Sequence, residues 1–227
     1  MKKIFLIGSS SYLMSQIANH LSKKKKYKLI LISRKKSKKL INTKSYETDY
    51  STSSIHEIFL KELDKKTHKP IFIFGNTISQ SDLFININEK LIKDILDINI
   101  ILPSKIINLI LKDYLILSPS FFYLSSILVN PSIGISLYGS SKLFMENLMS
   151  NLAMEYGSMN CLFKSIRIGI SDGGLANSLN EKTLKLVSKR FSIKGVLKPV
   201  DIVKTLEFEF EKKSSNGKVI YCDNGFF

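Results

Sequence analysis

The chain has 227 residues, 44% of them hydrophobic and 23% charged, with 34 Lys and Arg against 19 Asp and Glu. This balance excludes an intrinsically disordered chain and is typical of one globular domain, which we place at residues 1–227. The two cysteines, Cys161 and Cys222, have neither the number of a disulfide scaffold nor zinc-ligand spacing. We therefore predict no metal site and a reducing, cytoplasmic location.

Six short apolar runs, bounded by turn residues or charge, predict buried strands. They lie at residues 4–7, 29–32, 71–74, 122–124, 161–168 and 219–221. Amphipathic patterns between them predict helices at 13–21, 55–63, 91–111, 142–156 and 201–210. Pro103 predicts a kink or break near Leu102 in the third helix. The alternation predicts an α/β fold with a Rossmann-like, doubly wound parallel sheet in three αβα layers.

Neither of two segments that resemble membrane signals satisfies the full pattern. The apolar run after Met1 stops at Gly8, which is too short for a signal peptide and is typical of a buried strand. The uncharged segment 114–141 contains Pro119 and Pro131, which disfavour a lipid-facing helix. We expect no membrane association.

The formal net charge of +15 is concentrated in one place. Ten basic residues lie from Lys23 to Lys39, without alternating arginine and aromatic residues and without a nucleic-acid motif. We interpret them as a solvated face and expect no nucleic-acid partner, although a basic nucleic-acid partner on the same fold stays an alternative that depends on charge alone.

The first turn between a strand and a helix is the usual phosphate cradle of a doubly wound sheet. Here it runs from Gly8 through Ser10, Ser11 and Tyr12 to Leu13, with a single glycine. A serine-rich loop before a helix is also a common N-cap, so the turn alone leaves both interpretations open.

Tyr138 and Lys142 are four residues apart, so they share one face of a helix. An ammonium beside a phenol stabilises the phenolate, so we expect Lys142 to lower the pKa of Tyr138 and make it useful for proton transfer. Ser125 and Ser126 follow the preceding strand. On the same helix, Glu146 and Glu155 are expected to be exposed charges.

Together these features resemble the short-chain dehydrogenase/reductase family, over nearly the whole chain and in the same order. The family's Gly-x-x-x-Gly-x-Gly turn falls on Gly8, Tyr12 and Met14. The family has an acidic residue after its third strand and an asparagine in its long fourth helix, and these fall on Asp49 and Asn99. Its remaining positions fall on Ser125-Ser126, Tyr138 with Lys142, Ile168-Gly169, and a last strand within 217–225.

The resemblance implies a catalytic set. Tyr138 would be the general acid for carbonyl reduction or the base in reverse, and Lys142 would hold the nicotinamide ribose. Ser126, or its neighbour Ser125, would bind the substrate oxygen. Asn99 would complete a proton relay to Lys142 through water. The substrate would be a small carbonyl compound or a secondary alcohol.

The resemblance also implies a nicotinamide cofactor. Its binding positions would be Gly8, Ser10, Ser11, Tyr12, Leu13, Arg34, Asp49, Tyr50, Gly75, Asn76, Tyr138, Lys142, Gly169 and Ile170. Arg34, after the second predicted strand, offers a fork for a 2′-phosphate, so NADP(H) is preferred over NAD(H). The alternative is that Arg34 belongs only to the solvated basic face.

Several positions depart from the family pattern. Tyr12 and Met14 replace two glycines, Gly75-Asn76 stands within the place of Asn-Ala-Gly, and Ile168 replaces a proline. A second hypothesis is therefore a degenerate member that binds a nucleotide or sugar nucleotide without efficient redox catalysis. The resemblance further implies a homodimer or homotetramer, and we expect residues around 171–198 to form a short substrate lid.

Overall fold

The computed structural model describes residues 1–37, 39–64, 66–171 and 196–225. Within them, seven strands form one parallel sheet in the order β3-β2-β1-β4-β5-β6-β7. The strands are β1 (Lys2–Ile7), β2 (Tyr27–Ser33), β3 (Thr43–Glu47), β4 (Ile71–Phe74), β5 (Ser120–Ser126), β6 (Leu162–Ile168) and β7 (Val219–Cys222). The predicted doubly wound parallel sheet is confirmed.

Helices cover both faces of the sheet and complete the three layers. They are α1 (Tyr12–Ser22), α2 (Thr52–Glu62), α3 (Glu89–Leu96), α4 (Leu102–Tyr114), α5 (Ser136–Tyr156) and α6 (Pro199–Glu209). Apolar residues of α2, α4 and α5 pack on one face, and those of α1 and α6 pack on the other. On the first face, Phe121 of β5 stacks between Phe72 and Phe163, with ring centroids 5.3 and 4.9 Å apart.

Two elements differ from the predicted pattern. The edge strand β3 reads Thr-Lys-Ser-Tyr-Glu and is largely exposed, so it has no apolar run to reveal it. Helix α5 begins at Ser136, six residues before the amphipathic pattern, because Tyr138 and Ser141 are buried there although they are not apolar. A buried polar side chain is invisible to a hydrophobic pattern.

The break expected near Leu102 takes the form of a π-helix over Asp97–Ile101, between α3 and α4. Pro103 has no amide hydrogen, so it cannot donate to the carbonyl of Asn99 four residues earlier. That carbonyl instead accepts a hydrogen bond from the Tyr123 hydroxyl at 3.3 Å. The Asn99 carbonyl therefore links the π-helix to β5.

Among the described residues, no helix has the length and apolar character needed to cross a bilayer. The same residues contain no group of three or more His, Cys, Asp or Glu side chains placed to hold a metal ion. Most of the predicted lid, residues 172–195, lies outside the part of the chain that the structure describes.

Candidate active site

The turn after β1 is built around Gly8. Its φ is +83°, and a Cβ there would lie 2.6 Å from the backbone nitrogen of Asn76. Ser11 is the N-cap of α1 and accepts from the Met14 amide at 3.4 Å. The first amides of a helix have no intrahelical acceptor, so those of Tyr12 and Leu13 stand at the positive end of α1. The loop is thus a helix cap whose geometry also suits an anion.

Met14 lies at the third glycine position of the family turn, yet α1 still packs on the sheet. Its side chain is buried and lies against Gly75, the residue after β4. A Cβ on Gly75 would be 2.2 Å from the Met14 sulfur. The glycine that makes room for α1 is therefore at the end of β4 rather than in the helix.

Other predicted cofactor residues lie at the start of α1 and just after β2 and β3. Tyr12, the first residue of α1, and Arg34, after β2, are exposed, and Tyr12 keeps 46% of its surface accessible. The Asp49 carboxylate accepts from the Ser51 amide at 2.9 Å, which holds its pKa below the usual range. Tyr50 has a φ of +64° and lies near Arg34 and the Gly8 backbone, and burial raises its pKa to about 12.

Three serine hydroxyls meet beneath the turn. Ser9 contacts Ser33 at 3.2 Å and Ser37 at 2.8 Å, and Ser9 and Ser33 are almost fully buried. Beside them a cavity of about 330 Å³ opens between α1 and the loop after β2. Its lining includes Ser10, Lys36 and Ser37. The cavity thus combines hydroxyl groups with a lysine, which suits an anionic ligand.

The Tyr138 side chain is buried near the carboxyl end of β5, where the Ser126 and Thr77 hydroxyls interact with its phenol. Burial raises the pKa of this phenol, and the two hydroxyls oppose that effect. Ser125 does not take part, since its buried Oγ has no partner among the described residues. The structure therefore brings Ser126, of the two adjacent serines, to the tyrosine.

Lys142 lies behind the tyrosine and is almost completely buried. Its Nζ donates to the Leu124 carbonyl at 3.0 Å and lies 4.6 Å from the Tyr123 ring centroid and 5.8 Å from that of Tyr138. Burial lowers the pKa of Lys142 to about 7. The expectation that Lys142 lowers the phenol pKa is not met here, because burial dominates the ionisation of both groups.

Asn99 is fully buried in the π-helix. Its side chain accepts from the Ile78 amide at 2.8 Å and donates to the Ile78 carbonyl at 2.9 Å and to Ser141 at 3.0 Å. Its carbonyl accepts from Tyr123, whose ring lies under the Lys142 ammonium. Tyr123 thus links Asn99 to Lys142, a connection that the sequence analysis missed.

Glu146 corrects a further expectation, since it is 4% exposed rather than a surface charge. Its two carboxylate oxygens accept from Nε and Nη2 of Arg167 on β6. Glu155, by contrast, is exposed as expected. The spacing of Glu146 four residues after Lys142 was the signal available in the sequence, because it places both on one helix face.

Gly169 and Ile170 extend the site past the end of β6. The Gly169 amide donates to the Cys222 carbonyl at 3.0 Å, and the Ile170 carbonyl accepts from the Leu197 amide at 2.8 Å. A Cβ on Gly169 would lie 2.8 Å from the Cα of Asp223. The glycine therefore allows the segment after β7 to pack closely at this edge.

Comparisons with known proteins place this geometry in context. No protein-family model and no curated protein matches the chain. A solved 4-hydroxyisoleucine dehydrogenase complexed with NADH is 19% identical, with a TM-score of 0.85 over 99% of this chain and 98% of its own. A short chain dehydrogenase family protein from Francisella tularensis subsp. tularensis SCHU S4 is 18% identical, with a TM-score of 0.83 and coverage of 99% and 98%. ElxO with NADP bound is 18% identical, with a TM-score of 0.81 and coverage of 98% and 97%.

The chain has the short-chain dehydrogenase fold. In this fold the predicted residues Gly8, Asn76, Ser126 and Tyr138 follow the ends of neighbouring parallel strands or the helices after them. Ligands of doubly wound sheets bind at that edge.

A nicotinamide dinucleotide is chemically compatible with the residues present. The Asn76 Oδ1 atom is buried without a partner among the described residues, and its residue packs against Gly8. A hydroxyl or carboxamide donor would satisfy that acceptor, and the start of α1 would meet a pyrophosphate. Gly8, Leu13, Asn76 and Lys142 are therefore residues that could hold such a group.

Proposed function

We propose that the protein is an NADP(H)-dependent oxidoreductase that transfers a hydride between nicotinamide and a carbonyl or secondary-alcohol substrate. The observation that carries this proposal is the buried Tyr138 phenol beside Ser126, with Lys142 behind it, at the ligand-binding edge of the sheet. Such an arrangement offers a proton to an oxygen atom that is itself hydrogen-bonded by a serine.

Each side chain has a definite task. The raised pKa of Tyr138 keeps its phenol protonated near neutral pH, which suits a general acid for carbonyl reduction. Ser126 would donate to the substrate oxygen and orient it toward that phenol. Lys142, when charged, would stabilise the phenolate that remains and would bind the ribose hydroxyls. When bound, the nicotinamide would supply or accept the hydride.

The preference for NADP(H) is supported by charge at the end of β2. Arg34 and Lys36 are exposed there, and Lys36 lines the same cavity as Ser9 and Ser37. A 2′-phosphate needs cationic and hydroxyl donors, whereas the ribose of NAD(H) is usually bound by an acidic residue at this place. Of the neighbouring solved structures, one contains NADH and another NADP, so the preference depends on the residues of this chain.

Two measurements test the function. Nicotinamide fluorescence should change on titration of the protein into NADPH, and a panel of ketones and aldehydes should then oxidise the bound cofactor. The Tyr138→Phe variant should bind NADPH and fail to transfer hydride. Absence of NADPH binding, or turnover retained by the variant, would overturn the proposal.

The alternative is a protein of the same fold that binds a nucleotide or sugar nucleotide without efficient redox catalysis. The observation that favours it is Tyr12, whose side chain stands where the family's turn has no side chain. Binding of NADPH without hydride transfer to any member of the carbonyl panel, together with tighter binding of a sugar nucleotide, would support this alternative.

We also propose a homodimer or homotetramer that forms through α4, its preceding π-helix and α5. Ile101, Leu143 and Phe144 are exposed apolar side chains on these elements. Exposed apolar residues that cluster on adjacent helices are typical of subunit interfaces. Light scattering at micromolar concentration should give at least twice the monomer mass of 25.8 kDa, and Phe144→Asp should reduce it to that mass. A parent protein that is monomeric would contradict the proposal.

A further inference from the structure

Beyond the catalytic set, a buried ion pair lies one helical turn from Lys142. Glu146 is on the same face of α5, and both of its carboxylate oxygens accept from Arg167 of β6. Arg167 in turn donates to the Tyr221 hydroxyl at 3.0 Å and stacks on its ring, with 4.9 Å between the guanidinium carbon and the ring centroid. The carboxylate is therefore fixed in orientation rather than free to swing toward solvent.

We infer that Glu146, clamped by Arg167, is a positioning residue that lets the buried Lys142 ammonium hold its proton to higher pH than burial alone would allow. The inference concerns the charge of Lys142 in the protein alone. Only its effect on turnover rests on the proposed function.

The need for such a residue follows from the burial of Lys142. Among the residues that the structure describes, its ammonium has one carbonyl partner, Leu124, and two aromatic neighbours, Tyr123 and Tyr138. Burial of a cation with so few polar partners favours loss of its proton, and the pKa of Lys142 is lowered to about 7. The charge of Glu146 opposes this effect of burial, so without it Lys142 would lose its proton at a still lower pH.

The other groups around Lys142 do not supply that opposing charge. Tyr123 and Tyr138 both have pKa values raised by burial, so they stay neutral near pH 7. Arg167 is a cation on the far side of Glu146, and its own neighbours are Tyr221 and Asp223. Among the described residues, the negative charge that raises the Lys142 pKa against burial is that of Glu146.

The pH at which Lys142 loses its proton should shift in opposite directions when Glu146 and Arg167 are changed. Removing the charge of Glu146 leaves only the effect of burial, so Lys142 should lose its proton at lower pH. Removing the charge of Arg167 leaves Glu146 without its partner cation, so its field at Lys142 should strengthen and Lys142 should keep its proton to higher pH. A residue with only a packing role would not produce opposite signs from the two halves of one ion pair.

The charge of Lys142 can be followed directly by NMR. In protein with ¹³C- and ¹⁵N-labelled lysine, the Lys142 Cε signal is assigned by its disappearance in Lys142→Met. Its titration midpoint should fall by about one pH unit in Glu146→Gln, and rise in Arg167→Gln. Glu155→Gln, an exposed change on the same helix, should leave the midpoint unchanged.

Because Glu146→Gln and Arg167→Gln are titrated separately, the inference stays testable if one of these variants does not fold. An unchanged midpoint in a folded Glu146→Gln, or a fall in Arg167→Gln, would overturn it. Because the titration uses neither cofactor nor substrate, its result does not depend on the proposed oxidoreductase function. If that function holds, the pH at which NADPH turnover declines on the alkaline side should move in the same direction as the midpoint in each variant.

Discussion

The sulfur of Met14 lies 2.2 Å from the position that a Cβ on Gly75 would occupy. The side chain that replaces a family glycine in α1 is thus accommodated by a glycine at the end of β4. Gly75 thus provides the space between helix and sheet that the family's helix glycine would provide, and α1 is not moved away from β1. The substitution at Met14 therefore leaves the start of α1 close to the carboxyl ends of the strands.

The first prediction concerns this pair. Gly75→Ala should destabilise the protein by about 1 to 3 kcal/mol, because the added methyl group overpacks the buried Met14. Met14→Ala alone should cost about 2 to 5 kcal/mol through the cavity that it leaves. The double variant should lose less than the sum, since Met14→Ala opens the space that the methyl group of Gly75→Ala occupies. Urea unfolding of all four proteins measures this coupling, and strictly additive losses would contradict it.

The sheet could be predicted from the sequence wherever a strand is buried. The strand β4 matched its apolar run at both ends, because both of its faces are covered by helices. The edge strand β3 could not be found in this way, since it pairs only with β2 and is mostly exposed. The other edge strand, β7, keeps an apolar run although it is only partly buried, and it was predicted. The apolar residues of a strand, and not its place in the sheet alone, therefore decided whether it carried a signal.

In the candidate site, the residues with a characteristic spacing were found and their supporting groups were missed. Tyr138 and Lys142 were predicted from their separation of four residues. Tyr123 read as one more apolar position of β5, although its hydroxyl bonds the Asn99 carbonyl that Pro103 leaves free. Such a contact joins three elements that are distant in sequence, so no local pattern reports it.

The second prediction concerns the cofactor. If Arg34 pairs with the 2′-phosphate, the protein should bind NADPH more tightly than NADH by roughly ten- to a hundredfold, as charge-assisted contacts contribute about 1.5 to 3 kcal/mol. Arg34→Ala should remove most of this preference and leave NADH binding unchanged. Lys23→Ala, which removes an exposed charge at the other end of the basic stretch, is the matched control. Equal dissociation constants for the two cofactors in the parent protein would refute the assignment.

The third prediction concerns proton transfer. Tyr138→Phe removes the hydroxyl and keeps the ring, so the fold and NADPH affinity should persist while turnover falls by about 10² to 10⁴-fold. Tyr156→Phe, on the same helix and outside the site, should retain activity. Single-turnover oxidation of bound NADPH by a carbonyl substrate measures both variants. Comparable rates for Tyr138→Phe and the parent would remove Tyr138 from the mechanism.

The fourth prediction uses the lowered pKa of Lys142. The unfolded chain holds this proton up to the usual lysine pKa of about 10.4, whereas the folded protein releases it near pH 7. Between these values the unfolded state binds more protons, so the free energy of unfolding should rise with pH. Relative to Lys142→Met, which does not titrate, the parent should gain about 2 kcal/mol between pH 7 and pH 9. Parallel urea titrations at these pH values test this, and a constant difference would show that Lys142 does not titrate in this range.

The last prediction concerns Tyr12, which stands at the position where the family's turn lets the backbone approach the pyrophosphate. Tyr12 is the first residue of α1, and its exposed side chain lies beside the amides that would meet the ligand. Tyr12→Gly should therefore tighten NADPH binding, because it removes the side chain and keeps those amides in place.

The glycine also weakens the helix, so its effect must be separated from a loss of order in α1. Tyr12→Ala keeps more of the helix propensity and still removes the ring, and it should tighten binding as well. Isothermal titration with NADPH compares the three proteins. Weaker binding in both variants would mean that the Tyr12 ring is a wall of the site, since the two changes share only the loss of that ring. If neither the parent nor the variants bind NADPH, the oxidoreductase proposal fails and nucleotide binding without redox chemistry becomes the better account.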